Sequence, residues 1–121
     1  EKTKEMMSLT DIMATLAPIV GYKLENGVTT DGINNISAFL GETKEKRSSI
    51  VLKAGNDVYA LRQREWKFIE VPRGNDEPFF ELYNLENDPS EDENLASKYP
   101  DKVSEMKRAL DLILKEHSTT K

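Results

Sequence analysis

Residues 61–71, LRQREWKFIEV, and residues 81–95, ELYNLENDPSEDENL, decide how this chain folds. In both, apolar and polar residues alternate with a period of two, the pattern of a half-buried strand. The second segment then runs into an acidic Asp-Pro turn. Beyond it, Pro100 suits the first position of a helix, and Val103, Met106, Leu110, Ile113 and Leu114 recur at helical spacing. Glu105 with Arg108, and Asp111 with Lys115, are helix-spaced opposite charges on the polar side.

Working upstream, residues 49–54 and 58–62 read as two more strands joined at Gly55-Asn56-Asp57. A turn over residues 63–65 leads into a strand over 66–71. A loop over 72–78 precedes a last strand over 79–85. Hairpin-connected strands of this kind form an antiparallel sheet, which the C-terminal stripe can cover on one face.

Earlier still, Leu9, Ile12, Met13, Leu16 and Ile19 predict a helix over residues 8–20. Ser8 pairs with Asp11 as a start signal, with Thr10 as the alternative cap, and Gly21 as the C-terminal stop. Pro18 predicts a kink or early fraying, because its ring removes a donor and crowds Ala14. Residues 21–49 read as a long connection with turn formers Gly27, Thr29, Thr30, Asp31, Gly32, Asn34 and Asn35. Within it, residues 36–40 form one helical turn ended by Gly41, and charged residues 42–47 form a solvated loop. The resulting expectation is an α+β fold, with a four-stranded antiparallel sheet packed on a C-terminal helix and an additional N-terminal helix. It forms one small domain over 1–121, frayed at 1–7 and 118–121.

Composition excludes several function classes. The chain of 121 residues has a net charge of −5 and no Lys/Arg stripe with interleaved aromatics, which argues against a nucleic-acid binder. It has no cysteine, and so no disulfide, thiolate metal site or cysteine nucleophile. No apolar run reaches the ~20 residues of a membrane span, and there is no signal-peptide core. The start at Glu1 reads as a cut within a longer protein.

Four segments, in order, resemble the sulfatase family. Residues 10–16, TDIMATL, ending at Gly21, are similar to its DxxPTLxxxxG helix, and Asp31-Gly32 followed by Leu40-Gly41 to its DGxSLxPLLxG segment. Ala60-Leu61-Arg62 with Trp66-Lys67-Phe68-Ile69 resembles its AVRxGxWKLI strand pair, and residues 81–95 resemble ELYDLxxDPxExxNL near the family's C-terminus. Two departures stand out: Ala14 replaces the family's proline, with Pro18 instead, and Asn84 replaces the aspartate of YDL.

The resemblance implies a parent enzyme that hydrolyses sulfate esters of carbohydrates or aryl alcohols. It implies a formylglycine made within a C/S-x-P-x-R motif, a calcium ion, and periplasmic or secreted location. The residues for that chemistry belong to a larger N-terminal catalytic domain, the implied partner of this chain. Here there is no Ser-x-Pro-x-Arg, and Val71-Pro72-Arg73-Gly74 lacks the nucleophile. No catalytic, cofactor-binding or metal-ligating residue is assigned, and this chain alone is expected to be inactive.

Several residues invite a site nonetheless. Asp88, Ser90, Asp92 and Asn94 alternate oxygen donors, but an EF-hand needs Gly sixth and Glu twelfth, where Glu93 and Tyr99 stand. Turn chemistry, with Glu91 to Glu93 favouring the start of a short helix, is the simpler reading. Tyr59, Trp66 and Tyr83 offer an aromatic platform for a sugar ring, against ordinary core packing. Arg62 and Lys67 are the cations best suited to a sulfated ligand, against cross-strand pairing. His117 suits a helix C-terminus, and Asn35-Ile36-Ser37 fits the glycosylation pattern without an assigned role. The alternatives are a stand-alone carbohydrate-binding module, with Trp66 or Tyr83 on a flat exposed face, and a structural interaction module. A contiguous apolar patch left exposed on the first helix favours the sulfatase portion over the structural interaction module.

Overall fold

The computed structural model describes residues 5–25, 32–42, 47–55 and 57–118. Gly27, Thr29, Thr30, Asp31 and Asn56, singled out above as turn formers, lie outside the described residues, as do 43–46 of the charged loop. The elements follow in the order α1 (Asp11–Ile19), α2 (Ile36–Phe39), β1 (Ser49–Ala54), β2 (Val58–Gln63), β3 (Trp66–Arg73), β4 (Asp76–Asn84) and α3 (Pro100–Ser118). The chain divides into two compact units, Glu1–Ile50 and Val51–Lys121.

In the second unit the strands lie in sequence order, β1-β2-β3-β4, as a hairpin meander. Register places Leu61, Phe68 and Leu82 side by side across β2, β3 and β4. All three are fully buried, and Met106 and Leu110 of α3, also fully buried, complete the core. Val103, Ile113 and Leu114 pack around it with Val51, Tyr59, Trp66 and Phe80. The stripe read from the sequence is thus the face that α3 lays on the sheet.

The β3–β4 connection departs from the expected loop over 72–78. It is a tight hairpin in which Pro72 and Pro78 lie inside the strands. The ladder skips between Val71 and Arg73, so both prolines fall where the regular pairing is broken and no strand donor is lost. Gly74, at φ +60°, takes the first position of the two-residue turn, as a type II′ hairpin requires. The charges on α3 also pair differently. Glu105 meets Lys102 at 2.9 Å, and Asp111 meets Lys107 at 2.6 Å. Lys107 is anchored there because it also reaches Glu70 on β3 at 3.1 Å. His117 falls in the last turn of α3.

In the first unit, α1 ends one residue beyond Pro18, and its end is closed rather than frayed. Gly21, at φ +72°, donates to the Pro18 carbonyl, and Tyr22 donates to that of Ala17. These are the two bonds of a Schellman motif. The same motif closes α2 at Gly41, where Gly41 donates to Ala38 and Glu42 to Ser37. Met6, in the lead segment, is buried.

Phe68→Ala is expected to lower the free energy of unfolding by about 3–5 kcal/mol, as aromatic truncation in a closed core does. Leu112→Ala, at a position 58% exposed, is expected to change it by less than about 0.5 kcal/mol. Urea denaturation of the two variants checks both, and equal effects contradict this placement of the core.

Candidate functional site

The acidic segment after β4 is a strap in which Asn84, Asp88 and Asn94 spend their side chains on backbone. Asn84 Oδ1 accepts from the N–H groups of Glu86 and Asn87 at 3.1 and 3.3 Å. That task needs an oxygen acceptor rather than a charge, so Asn in place of Asp keeps the turn. Asp88 Oδ2 accepts from the Glu93 N–H at 3.0 Å. The N–H groups of Glu93 and Asp92, with those of Glu91 and Ser90, hold its carboxyl below the usual range.

Asn94 does the largest share. Its Nδ2 donates to the Phe80 carbonyl at 3.2 Å, and its Oδ1 accepts from the N–H groups of Leu82 at 3.1 Å and Ala96 at 2.9 Å. Leu95 adds a backbone bond to the Leu82 carbonyl at 2.8 Å. The side chain of Asn94 and the backbone of Leu95 therefore act as a short extra strand along the open edge of β4, sealing groups that an edge strand leaves unpaired. Two of the four calcium-loop donors, Asp88 and Asn94, are consumed in this way. Among the described residues no group of three or more His, Cys, Asp or Glu side chains is placed to hold a metal ion.

The short helix expected from Glu91 does not form. Glu91 sits at φ +61°, a left-handed conformation incompatible with a helix start. Its carboxylate instead receives the Lys67 ammonium at 2.7 and 2.6 Å. Lys67 is thus neutralised by the strap. Arg62 stands opposite Lys67 in register, with its Nε buried and without a hydrogen-bond partner among the described residues.

The three aromatics do not share a face. Register puts Tyr59 and Trp66 on the side of Leu61 and Phe68, where both pack against the core. Trp66 meets Tyr99 edge-on, with ring centroids 5.7 Å apart. Tyr83 pairs with Lys67 on the opposite side. Burial first, then the Glu81 carboxylate that its hydroxyl meets, raises the Tyr83 phenol above its ordinary value. The flat platform of a carbohydrate-binding module is therefore not assembled.

In the first unit, α1 reverses the usual arrangement of faces. Its buried residues are Asp11, Ala14, Thr15 and Ala17. The Asp11 carboxylate accepts from the N–H groups of Ser8 at 2.8 Å and Ile33 at 2.9 Å, from Asn35 Nδ2 at 3.1 Å, and from Arg47. Thr15 Oγ1 donates to the Asp11 carbonyl at 2.7 Å and accepts from the Asn35 N–H at 3.0 Å. Ser8 and Asp11 form the start signal read from the sequence, through the acid reaching back to the earlier N–H. Arg47, expected in a solvated loop, is drawn to the buried acid, and Asn35 is buried too rather than displayed for glycosylation. The other side of the helix is bare. Leu9, Ile12, Met13, Leu16 and Ile19 are 85%, 44%, 55%, 50% and 57% exposed. No local sequence pattern joins Asp11, Asn35 and Arg47; the one trace of the cluster in the sequence is the Ser8–Asp11 spacing.

Comparison with known proteins gives the class first. No protein-family model matches the chain. The chain is 29% identical over 124 residues to an N-acetylgalactosamine-6-O-sulfatase of Bacteroides thetaiotaomicron, covering 93% of this chain and 24% of that protein. A solved structure from work on the metabolism of multiple glycosaminoglycans by Bacteroides thetaiotaomicron (BT33336S-sulf) superposes with a TM-score of 0.68 and 27% identity, over 85% of this chain and 24% of that one. A protein solved with its substrate D-glucosamine-2-N,6-O-disulfate shares the fold at a TM-score of 0.62 and 18% identity, over 91% and 24%. The likeness is to sulfatases, and the chain spans about a quarter of the length of the relatives it matches.

Two predictions follow from the geometry. Asn94→Leu keeps bulk but removes the side-chain bonds to the Leu82 N–H and Phe80 carbonyl, so a loss of about 0.5–1.5 kcal/mol is expected in denaturant unfolding. Asp92→Ala, on the exposed part of the strap, serves as the neutral comparison, and equal losses contradict the edge role of Asn94.

For Asp11, burial raises the carboxyl, while Arg47 and the Ile33 and Ser8 N–H groups outweigh it, leaving the folded value below the ordinary one. The stabilisation is then present above the unfolded value of about 3.9 and is lost as pH falls through the folded value. Asp11→Asn is expected to weaken hydrogen-exchange protection of the Ile33 amide near neutral pH. The difference from the wild type should vanish in acid below the folded value. A gap that persists there contradicts an ionised Asp11.

Proposed function

We propose that this chain is the C-terminal, non-catalytic portion of a sulfatase, packed on the catalytic domain of its parent and possessing no sulfatase chemistry of its own. The observation that carries this reading is the match to an N-acetylgalactosamine-6-O-sulfatase over 93% of this chain but 24% of the relative. The family-like acidic motif supports it, because Asn84, Asp88, Glu91 and Asn94 all have structural partners. The parent's reaction is hydrolysis of a sulfate ester on a sulfated carbohydrate or aryl sulfate. A 6-O-sulfated N-acetylgalactosamine is the first substrate to try, given that relative. Periplasmic or secreted location belongs to the same proposal.

The calcium ion and formylglycine implied by the sulfatase likeness do not fit this chain. It has no cysteine, no Ser-x-Pro-x-Arg, and no described acidic cluster placed for a cation. Both are assigned to the rest of the parent, and no step here runs through them. A carbohydrate-binding module is the weaker reading, because Trp66 packs on the core instead of presenting a flat face.

The intact parent, expressed with the residues encoded upstream of Glu1, is expected to hydrolyse 4-nitrophenyl sulfate or 6-O-sulfated N-acetylgalactosamine. This chain alone is expected to give no turnover above buffer. Hydrolysis by this chain alone, or an intact parent inactive on every sulfate ester tried, overturns the proposal.

A further inference from the structure

We propose that Arg62, on the sheet face turned away from α3, anchors a binding site for a singly charged oxyanion, and that the ligand is a sulfate monoester. The choice of sulfate among such anions rests on the sulfatase reading above. The site itself rests on charge placement within the second unit.

Leu61 and Phe68 belong to the core that α3 covers, so their neighbours Arg62 and Lys67 lie on the other face of β2 and β3. Register sets these two cations directly opposite each other and sets Tyr83 opposite Lys67, one row across three strands. Like charges in directly opposed positions destabilise a sheet unless partners compensate them. Lys67 has such a partner in Glu91 at 2.6 Å. Other acids of the sheet are committed elsewhere, Glu70 to Lys107 at 3.1 Å and Glu81 to the Tyr83 hydroxyl. Among the described residues Arg62 has no ion-pair partner, and its Nε is buried without an acceptor. A donor in that state is costly, and each such group in a folded chain calls for an explanation.

The chemistry of the ligand follows from the charge and from the donor. Arg62, Lys67 and Glu91 together carry one net positive charge. A guanidinium presents Nε–H and an Nη–H along one edge, at the spacing of two oxygens of one anion, and it leaves water more readily than an ammonium. A sulfate monoester offers two such oxygens and a single negative charge, which matches that excess. A phosphate monoester, at about −1.5 to −2 near neutral pH, exceeds it and is repelled by Glu91. Arg62 as a whole is half-buried. Rotation about its outer side-chain bonds therefore brings the enclosed Nε to the ligand and exchanges an orphaned donor for a two-bond contact.

The test titrates the 121-residue chain with 6-O-sulfated N-acetylgalactosamine at constant ionic strength while heteronuclear NMR follows the Arg62 Nε–H signal. A saturable shift is expected, with none from unsulfated N-acetylgalactosamine. Arg62→Ala is expected to bind roughly tenfold more weakly, as loss of a charge-assisted pair implies. Arg62→Lys keeps the charge without the fork and is expected to fall between the two. Arg108→Ala makes the same charge change at an exposed position on α3, and a change of less than about twofold is expected because distant surface charges are screened. An unmoved Arg62 signal, or equal losses in Arg62→Ala and Arg108→Ala, overturns the site. The wild-type titration does not depend on the folding of any variant. Acetate, or inorganic sulfate as a dianion, binding as tightly as the ester overturns the ligand assignment. The two readings fail separately: an unmoved signal beside an active parent removes only the oxyanion site, whereas binding here beside a parent inactive on every sulfate ester removes only the sulfatase reading.

Discussion

The bond pattern between Asn94 and the outer edge of β4 is the constraint on which the second unit depends. Core side chains Leu61, Phe68 and Leu82 stand in one row, but the sheet can bury that row only if α3 arrives over it. Asn94 and Leu95 lock the returning chain to Phe80 and Leu82. Leu95 and Ala96 then pack against the core cluster immediately before the helix. The strap thus does two jobs with one set of groups. It pairs the open edge of β4, and it delivers Met106 and Leu110 to the centre of the sheet. Its acids serve that geometry: Asp88 gathers turn amides, and Glu91 clamps the strap to Lys67 on β3.

What the sequence made legible were the features governed by periodicity and by local stops. Four strands, the α3 stripe and the terminating glycines of α1 and α2 all rest on patterns spanning a few residues. What escaped was decided by contacts distant in sequence. Pro72 and Pro78 look like loop residues until the break in the β3–β4 ladder gives them places without a required donor. Glu91 looks like a helix starter until Lys67, 24 residues earlier, draws its carboxylate into a left-handed turn. Arg47 looks solvated until Asp11, 36 residues away, claims its guanidinium. Lys107 prefers Asp111 and Glu70 together because β3 brings a second carboxylate within reach. Helix charge spacing alone holds no information about that strand.

The same distinction explains why chemistry suggested by residue type dissolves on inspection. Oxygen ligands at alternate positions, aromatics on neighbouring strands and a cation pair are all real sequence features. Each acquires a function only if geometry makes its members converge. Asp88 and Asn94 turn toward different backbone groups, and Tyr83 lies on the other side of the sheet from Tyr59 and Trp66. Lys67 spends its charge on Glu91. In this chain the strap closes an edge and places a helix.

α1 shows the other side of that conclusion. Hydrophobic burial is worth about 1.5–3 kcal/mol for a large aliphatic side chain, so an exposed stripe of five forgoes several kcal/mol in total. A helix free to rotate would recover it. Asp11 opposes the rotation: freeing it would orphan a buried charge and break its bonds to Ser8, Ile33, Asn35 and Arg47 together. The latch and the stripe thus oppose each other within one helix. A polar cluster that is costly to bury thus fixes which side of α1 faces the interior of its own unit.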